Sequence, residues 1–166
     1  FIYIDITING GELMSIKILT DSGSDYEKHE IDEKNIDVIP IPITFKGRDY
    51  LSGVNLSKDE FFALLEEGDD FPKTAQPSPQ VFIDYFEEAK KNGDEVIAIM
   101  LSGSLSGMLQ TMHLCKETVG YDKIHIIDSI SATVGMRLLV DNAVKLRDEG
   151  KSADEIVSET ESLKKR

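Results

Sequence analysis

The sequence contains little of the side-chain chemistry that metal sites use. Its 166 residues include a single cysteine, Cys115, and three widely separated histidines, His29, His113 and His125. One cysteine excludes an internal disulfide and a cysteine-based metal cage, and the histidines lack the spacing of metal ligands. Cys115 falls among apolar positions of a helical pattern, so we expect a buried structural thiol. The sequence predicts no metal site.

Basic residues are also scarce, and long apolar runs are missing. The 18 lysines and arginines face 31 aspartates and glutamates, which gives a formal net charge of −13. An acidic surface of this kind repels phosphate backbones and anionic headgroups, so binding to nucleic acid is not expected. No run is long and apolar enough to cross a bilayer. The sequence therefore predicts a globular domain without a membrane span.

The chain instead shows short apolar segments that are typical of strands. Residues 16–19, 96–101 and 124–127 are such segments, and the second is apolar throughout, as in a strand buried on both faces. Residues 38–45 (VIPIPITF) are rich in β-formers but contain two prolines. Both prolines can face an unpaired edge, because residues two apart point their N–H groups the same way. We therefore predict an edge strand or an extended crossing segment there.

Helices are predicted between these strands, because N-cap residues and apolar side chains at helical spacing occur in the intervals. Strands that alternate with helices indicate right-handed βαβ crossovers with helices on both faces of the sheet. We therefore predict an α/β fold with three layers, α/β/α, around a mostly parallel sheet. The predicted helices begin at Ser57, Ser78, about Leu105, about Ser131 and Ser152.

Three predicted strands end in turns rich in serine, aspartate and glycine: ILTDSGSD, IMLSGSLSG and IIDSIS. Ligands of open α/β sheets bind outside the carboxyl ends of the strands, so we expect these turns to meet at one rim. Gly103 and Gly107 would let the backbone approach a ligand closely, and a helix starting near Leu105 would point free N–H groups at it. Helix capping alone explains any single turn. Three turns together favour a ligand site.

The turn at residues 102–107 does not match the common phosphate or nucleophile motifs. A P-loop requires a lysine where Met108 follows Gly107, and the dinucleotide fingerprint G-x-G-x-x-G is absent. A nucleophile elbow requires a serine where Leu105 stands. The turn therefore suits a weakly charged group held by hydroxyls and backbone N–H groups, and a single carboxylate fits that description.

Five motifs occur along the chain in a characteristic order: ILTDSGSD (18–25), YLSG (50–53), TAQPS (74–78), LSGSLSGMLQ (101–110) and IIDS (126–129). This set resembles the DegV family of bacterial fatty-acid-binding proteins, whose pattern commonly reads T-S-Q-P-S in the loop and L-S-G-T-Y-Q at the turn. The resemblance spans nearly all of residues 16–129. Ala75, Ser52 and the pair Met108-Leu109 depart from the family pattern, and the changes near the start of the helix make the site more apolar.

The resemblance implies a lipid-binding protein without catalytic residues of its own. Family members hold the carboxylate of a long-chain fatty acid through the loop threonine and the L-S-G serine, which here are Thr74 and Ser106. They present the acid to a separate ATP-dependent fatty acid kinase subunit, which makes acyl phosphate for phospholipid synthesis in the cytoplasm. No cofactor is implied besides the bound fatty acid. Supporting contacts are expected from Ser22, Ser104, Gly107, Gln76 and Ser129.

Elementary energetics favour the same two hydroxyls. Pro72 and Pro77 restrict the loop that carries Thr74, so less entropy is lost when its hydroxyl is ordered. Ser106 lies in the first turn of the predicted helix, where the helix dipole would stabilise a bound anion by about 0.3–1 kcal/mol. A hydrogen bond to a charged acceptor adds roughly 1.5–3 kcal/mol. Most of the affinity would come from the tail, at about 0.8 kcal/mol per buried methylene.

Two other functions remain open on the sequence alone. Asp21 and Asp128 end two strands and could hold Mg²⁺ for a small-molecule phosphotransferase or hydrolase that also uses the strand-end serines. Both aspartates could equally accept backbone N–H groups and order the turns, which we favour. A regulatory domain that senses a small acid would use the same carboxylate site.

The resemblance also predicts how the chain is divided. Residues 14–166 correspond to the first, α/β domain of the family, and the second domain of family members lies outside this chain. Residues 1–13 precede Met14 and read as a leader or an added segment. Their alternating isoleucines would also suit an extra strand.

Overall fold

The computed structural model describes residues 15–68 and 70–164, so the expectations for residues 1–13 lie outside it. The described strands are β1 (Ile16–Asp21), β2 (Ile36–Ile39), β3 (Pro42–Phe45), β4 (Arg48–Leu51), β5 (Lys73–Thr74), β6 (Glu95–Met100) and β7 (Ile124–Asp128). The described helices are α1 (Lys28–Lys34), α2 (Lys58–Glu66), α3 (Pro79–Asn92), α4 (Met108–Val119), α5 (Thr133–Asp148) and α6 (Ala153–Leu163). A short 3-10 turn, Ser22–Ser24, follows β1.

The central layer is a parallel sheet of four strands in the order β2-β1-β6-β7. Alternate side chains of its strands pack into two apolar clusters, one on each face, because successive residues of a strand point to opposite faces. α3 and α4 cover one face, and α5 and α6 cover the other. The predicted three-layer α/β/α fold is therefore confirmed. Buried residues that represent the two clusters are Leu19, Phe82, Phe86, Ala98 and Met112 on one face and Ile18, Ile97, Leu139, Val140 and Ile156 on the other.

The sequence predicts an edge strand or an extended crossing segment over residues 38–45, and the structure divides this stretch between two sheets, so it does not form one edge strand. Residues Ile36–Ile39 form an edge strand of the parallel sheet, whereas Pro42–Phe45 is the middle strand of a separate antiparallel sheet in the order β4-β3-β5. Pro40 lies between the two strands and has no N–H to continue a ladder. Pro42 is tolerated because it is the first residue of its strand.

Of the five predicted helix starts, three agree with the structure, the one near Ser131 lies two residues before the first residue of α5, and the one near Leu105 differs. Ser57 and Ser152 form capping boxes with Glu60 and Glu155, and Ser78 caps α3. The helix expected from Leu105 begins only at Met108. The intervening turn is stabilised by its own hydrogen bonds, in which the N–H groups of residues 105 and 106 both donate to the Ser102 carbonyl.

We expect Gly93→Ala to lower the free energy of unfolding by about 1–2 kcal/mol, and Gly93→Asn to lower it less. Gly93 ends α3 with a φ of 75°, in the left-handed region that alanine occupies at a cost. A Cβ atom there meets nothing within 4 Å, so the cost is purely conformational. Urea unfolding of the three proteins measures it. Equal stability of glycine and alanine at this position would contradict the prediction.

Two lysines cover the outer edge of β7, which ends the four-stranded sheet. Lys116 Nζ donates to the Ile124 carbonyl at 2.6 Å, and Lys164 Nζ donates to the Asp128 carbonyl at 2.9 Å. Both carbonyls would otherwise be open ladder positions of an edge strand.

Within residues 15–68 and 70–164, no helix has the length and apolar character needed to cross a membrane.

Candidate functional site

The three hydroxyl-rich turns lie at one rim, because they follow neighbouring parallel strands. The Leu101 N–H donates to Asp21 Oδ2 at 2.7 Å, which joins the turn after β6 to the turn after β1. The Ser102 N–H donates to the Ser131 carbonyl at 3.0 Å, which joins it to the turn after β7. The turns therefore form a connected surface at the carboxyl ends of the strands, as the sequence predicts.

Asp21 and Asp128 hold this rim together through backbone hydrogen bonds. Asp21 is fully buried and also accepts the Gly23 N–H at 2.8 Å, so each of its carboxylate oxygens has a donor. Asp128 accepts the N–H groups of Gly103 and Ile130. Burial raises the pKa of Asp21 above its usual value of 3.8, and the two backbone donors partly offset that rise. In these positions both aspartates order the turns.

The described residues contain no group of three or more histidine, cysteine, aspartate or glutamate side chains that could hold a metal ion. Cys115 is buried in the apolar cluster beneath α3 and α4, as predicted for a structural thiol. Burial also raises the pKa of this thiol.

Ser106 lies two residues before the first residue of α4. The prediction that Ser106 falls in the first turn of this helix is therefore wrong. Its Oγ accepts the Met108 N–H at 3.2 Å, and the side chain is half-buried. The hydroxyl hydrogen has no acceptor among the described residues, so it can donate to a ligand. The positive end of the α4 dipole lies next to this hydroxyl. Ser106 therefore combines a free donor with a favourable field for an anion.

Thr74 lies at the end of β5, a two-residue strand that the sequence does not predict. Thr74 is paired with Ile43 of β3, and the following Ala75 N–H donates to the Pro42 carbonyl at 3.0 Å. The Thr74 side chain is exposed, and no partner within residues 15–68 and 70–164 engages its hydroxyl. Strand pairing thus fixes the backbone while the hydroxyl stays available.

The segment that carries Thr74 contacts the start of α4. Gln76 lies directly against Gly107, the N-cap of the helix, and its Oε1 accepts the Thr111 hydroxyl at 3.1 Å. Gln76 is two residues from Thr74, and Gly107 is adjacent to Ser106. The structure therefore brings together the two segments that the sequence assigns to one site. Sequence reasoning misses Thr111, because nothing in the helical pattern distinguishes it from a solvent-facing threonine.

The remaining predicted site residues differ in how far their hydroxyls are available. Ser104 is exposed in the turn before α4, whereas Ser22 Oγ accepts the Ile41 N–H at 3.0 Å. Ser129 is buried, and its hydroxyl donates to the Ser131 carbonyl and accepts the Ser131 N–H. The Ser129 hydroxyl is thus already used within its own turn.

Apolar side chains are exposed on the same turns. Leu105 is 68% exposed between Ser104 and Ser106, and Ile130 is 67% exposed after Ser129. On the small sheet, Ala75 lines an open hollow of ≈ 390 Å³ together with Pro42 and Leu51. The rim therefore offers hydroxyl and apolar surface side by side, which suits a ligand with a polar head and an apolar body.

Sequence comparison relates the chain to a family over nearly its whole described length. The family described as "Uncharacterised protein, DegV family" matches residues 15–166. A DegV domain-containing protein of Caldanaerobacter subterraneus is 41% identical over 143 residues, which cover 86% of this chain and 51% of that protein. The chain spans about half the length of the curated relatives it matches.

Structural comparison gives the same result. A structure from Thermus thermophilus, described as fatty acid binding of a DegV family protein, has a TM-score of 0.82 and 30% identity, over 92% of this chain and 54% of that one. A stearic acid-binding protein from Eubacterium ventriosum has a TM-score of 0.80 and 28% identity, over 88% and 52%. With the family match covering residues 15–166, these similarities show that the chain belongs to the DegV family.

Proposed function

We propose that this chain forms the head-group-binding part of a fatty-acid carrier. Its hydroxyls at Thr74 and Ser106 hold the carboxylate of a long-chain fatty acid, with Ser22, Ser104 and Gly107 nearby. The observation that carries the proposal is the contact between Gln76 and Gly107, which joins the two hydroxyl-bearing segments. The fatty acids bound by solved members of the family support the ligand class.

The chemistry of the rim suits a carboxylate better than a phosphate. Thr74 and Ser106 offer neutral hydroxyl donors, and no lysine follows Gly107 as it does in a P-loop. Each hydrogen bond to a carboxylate contributes roughly 1.5–3 kcal/mol. Buried methylene groups contribute about 0.8 kcal/mol each, so a long acyl tail supplies most of the affinity. Such a ligand is held tightly by its tail and lightly by its head.

A lightly held, accessible head group is what a carrier needs. The exposed Thr74 side chain leaves the carboxylate open on one side, so a separate ATP-dependent kinase subunit can reach it and form the acyl phosphate. The chain itself would bind and orient the acid, and the phosphoryl transfer would belong to the partner. The oxygens of Asp21 and Asp128 already accept backbone N–H groups, which argues against an enzyme built on these aspartates.

Lipid analysis of the complete gene product tests the proposal. We expect mass spectrometry of an organic-solvent extract to find a long-chain fatty acid in about equimolar amount. After removal of lipid, the protein should bind added fatty acid and should not hydrolyse ATP by itself. Acyl phosphate should form only when a fatty acid kinase subunit and ATP are added. Protein that carries no acyl ligand and takes none up, or that turns over ATP alone, would contradict the proposal.

A further inference from the structure

The Gln76 side chain occupies space that only a glycine at residue 107 leaves open. A Cβ atom built on Gly107 would lie 2.4 Å from Gln76 Nε2, which is far closer than van der Waals contact allows. The φ of Gly107 is −75° and its ψ is 2°, a conformation open to residues with side chains. The backbone conformation therefore does not require glycine here. Glycine is required because the Gln76 amide occupies the space where a Cβ atom would lie, and we call this space the seat of the amide.

The same amide is held by a second contact one helical turn further along α4. Thr111 Oγ1 donates to Gln76 Oε1 at 3.1 Å, and the Thr111 N–H donates to the Gly107 carbonyl at 3.4 Å within the helix. Gly107 and Thr111 lie on one face of α4, because residues four apart are neighbours on a helix. The Gln76 amide is thus fixed on the first turn of α4 at two points.

The loop of Gln76 is anchored on both sides of that amide. Before it, Thr74 pairs with Ile43 in the small sheet. After it, Pro77 is buried, so the chain cannot shift freely along α4. From these contacts we infer that Gln76, seated on Gly107 and bonded by Thr111, is a positioning residue that sets the separation of the Thr74 and Ser106 hydroxyls. This inference rests on the proposed function, in which both hydroxyls hold one carboxylate.

Separation matters because hydroxyl hydrogen bonds have a narrow range. O–H···O bonds are about 2.5–3.0 Å long and weaken steeply as their geometry departs from the optimum. Two hydroxyls that share one carboxylate can both bond well only at a fixed spacing. If the Gln76 amide no longer contacts Gly107 and Thr111, the segment that carries Thr74 is no longer held against α4. One of the two hydroxyl hydrogen bonds to the carboxylate then lengthens. The carboxylate then loses affinity while the acyl tail does not.

Two variants of the complete gene product test the inference, one at each partner of the contact between Gln76 and Gly107. Gln76→Ala removes the amide, and Gly107→Ala fills its seat. Because the atom displaced by the new methyl group is the end of a flexible side chain, the fold should be retained. We expect each variant to bind palmitate about tenfold more weakly, the effect of losing one hydrogen bond to a charged group. Binding of hexadecanol, which has the same tail and no carboxylate, should change by no more than about twofold.

A double variant shows whether Gln76 positions Thr74 or only stabilises the site in general. Because Gln76 acts through Thr74, adding Gln76→Ala to Thr74→Val should weaken palmitate binding no further. Gln80→Ala, at an exposed position of α3 where the side-chain amide donates to Asp84 of the same helix, is the matched control and should leave palmitate binding unchanged. Equal losses for palmitate and hexadecanol, or additive losses with Thr74→Val, would overturn the positioning role.

The failures of the two proposals can be told apart. If Thr74→Val and Ser106→Ala both keep wild-type palmitate affinity, the proposed head-group site is wrong and the inference falls with it. If those two variants weaken binding while Gln76→Ala and Gly107→Ala do not, only the positioning role is wrong. Melting temperatures of all variants show whether any loss reflects unfolding.

Discussion

The double variant Thr74→Val, Ser106→Ala is expected to bind a long-chain fatty acid at least about 100-fold more weakly than the wild type. Each hydroxyl gives one hydrogen bond to a charged acceptor, worth roughly 1.5–3 kcal/mol, and 1.4 kcal/mol corresponds to a factor of ten. Isothermal titration calorimetry of the delipidated complete gene product measures the change. The acyl tail keeps its contacts, so hexadecanol should bind nearly as before.

A control with the same chemical changes elsewhere separates the head group from the loss of hydroxyls in general. Thr118→Val and Ser158→Ala alter exposed positions of α4 and α6 and should leave the affinity unchanged. Ser106→Ala also removes the acceptor of the Met108 N–H, which is expected to lower stability by about 1 kcal/mol. If stability falls by that amount and fatty-acid affinity does not change, Ser106 is a helix cap and not a ligand contact.

Asp21→Ala is expected to lower the free energy of unfolding by about 2–5 kcal/mol. The carboxylate is fully buried and accepts the N–H groups of Gly23 and Leu101. Without it both donors lose their partner, and an unsatisfied buried donor costs about 1–3 kcal/mol. Denaturant unfolding measures the effect, and Asp122→Ala, at an exposed position, is the matched control. A loss no larger than that of the control would contradict the structural role of Asp21.

The effect of Asp21 should also depend on pH in an unusual direction. Its pKa is raised in the folded protein, mainly by burial, so the folded state binds the proton more tightly than the unfolded state does. The resulting stabilisation is fully present below the unfolded-state value of 3.8 and is lost as the pH rises through the folded-state pKa. The stability difference between wild type and Asp21→Ala should therefore shrink from acid to neutral pH. A difference that grows over this range would show the opposite pKa shift.

The sequence predicts those parts of the fold whose signals are local. A few neighbouring residues are enough to recognise the helix caps and the apolar strand β6. The caps are Ser57, Ser78 and Ser152. The sequence around α1 gives no such signal, because none of its side chains is fully buried and Ile31 alone packs partly against an apolar cluster. Contacts from α5 support α1 instead, and Arg147 donates to the carbonyls of Lys34 and Asn35 at its end.

The small sheet and the start of α4 could not be predicted for a related reason. β5 has only two residues, and its pairing with β3 depends on residues about thirty positions earlier in the chain. Leu105 continues the apolar spacing of α4 in the sequence, yet its side chain is 68% exposed and belongs to the preceding turn. Likewise, the contact of Gln76 with Gly107 arises only when two distant segments meet. The motifs indicate which residues belong to the site, whereas their arrangement follows from tertiary packing.

The lysines on the outer side of β7 affect whether another strand can pair with this edge of the sheet. A strand from another molecule could extend the sheet only by displacing Lys116 and Lys164 from the carbonyls they occupy and by leaving their charges without those acceptors. Acetylation of either lysine would remove that barrier at one end of the strand. Shortened versions of the protein prepared for crystallisation should therefore retain Lys164, although it lies just after the last residue of α6.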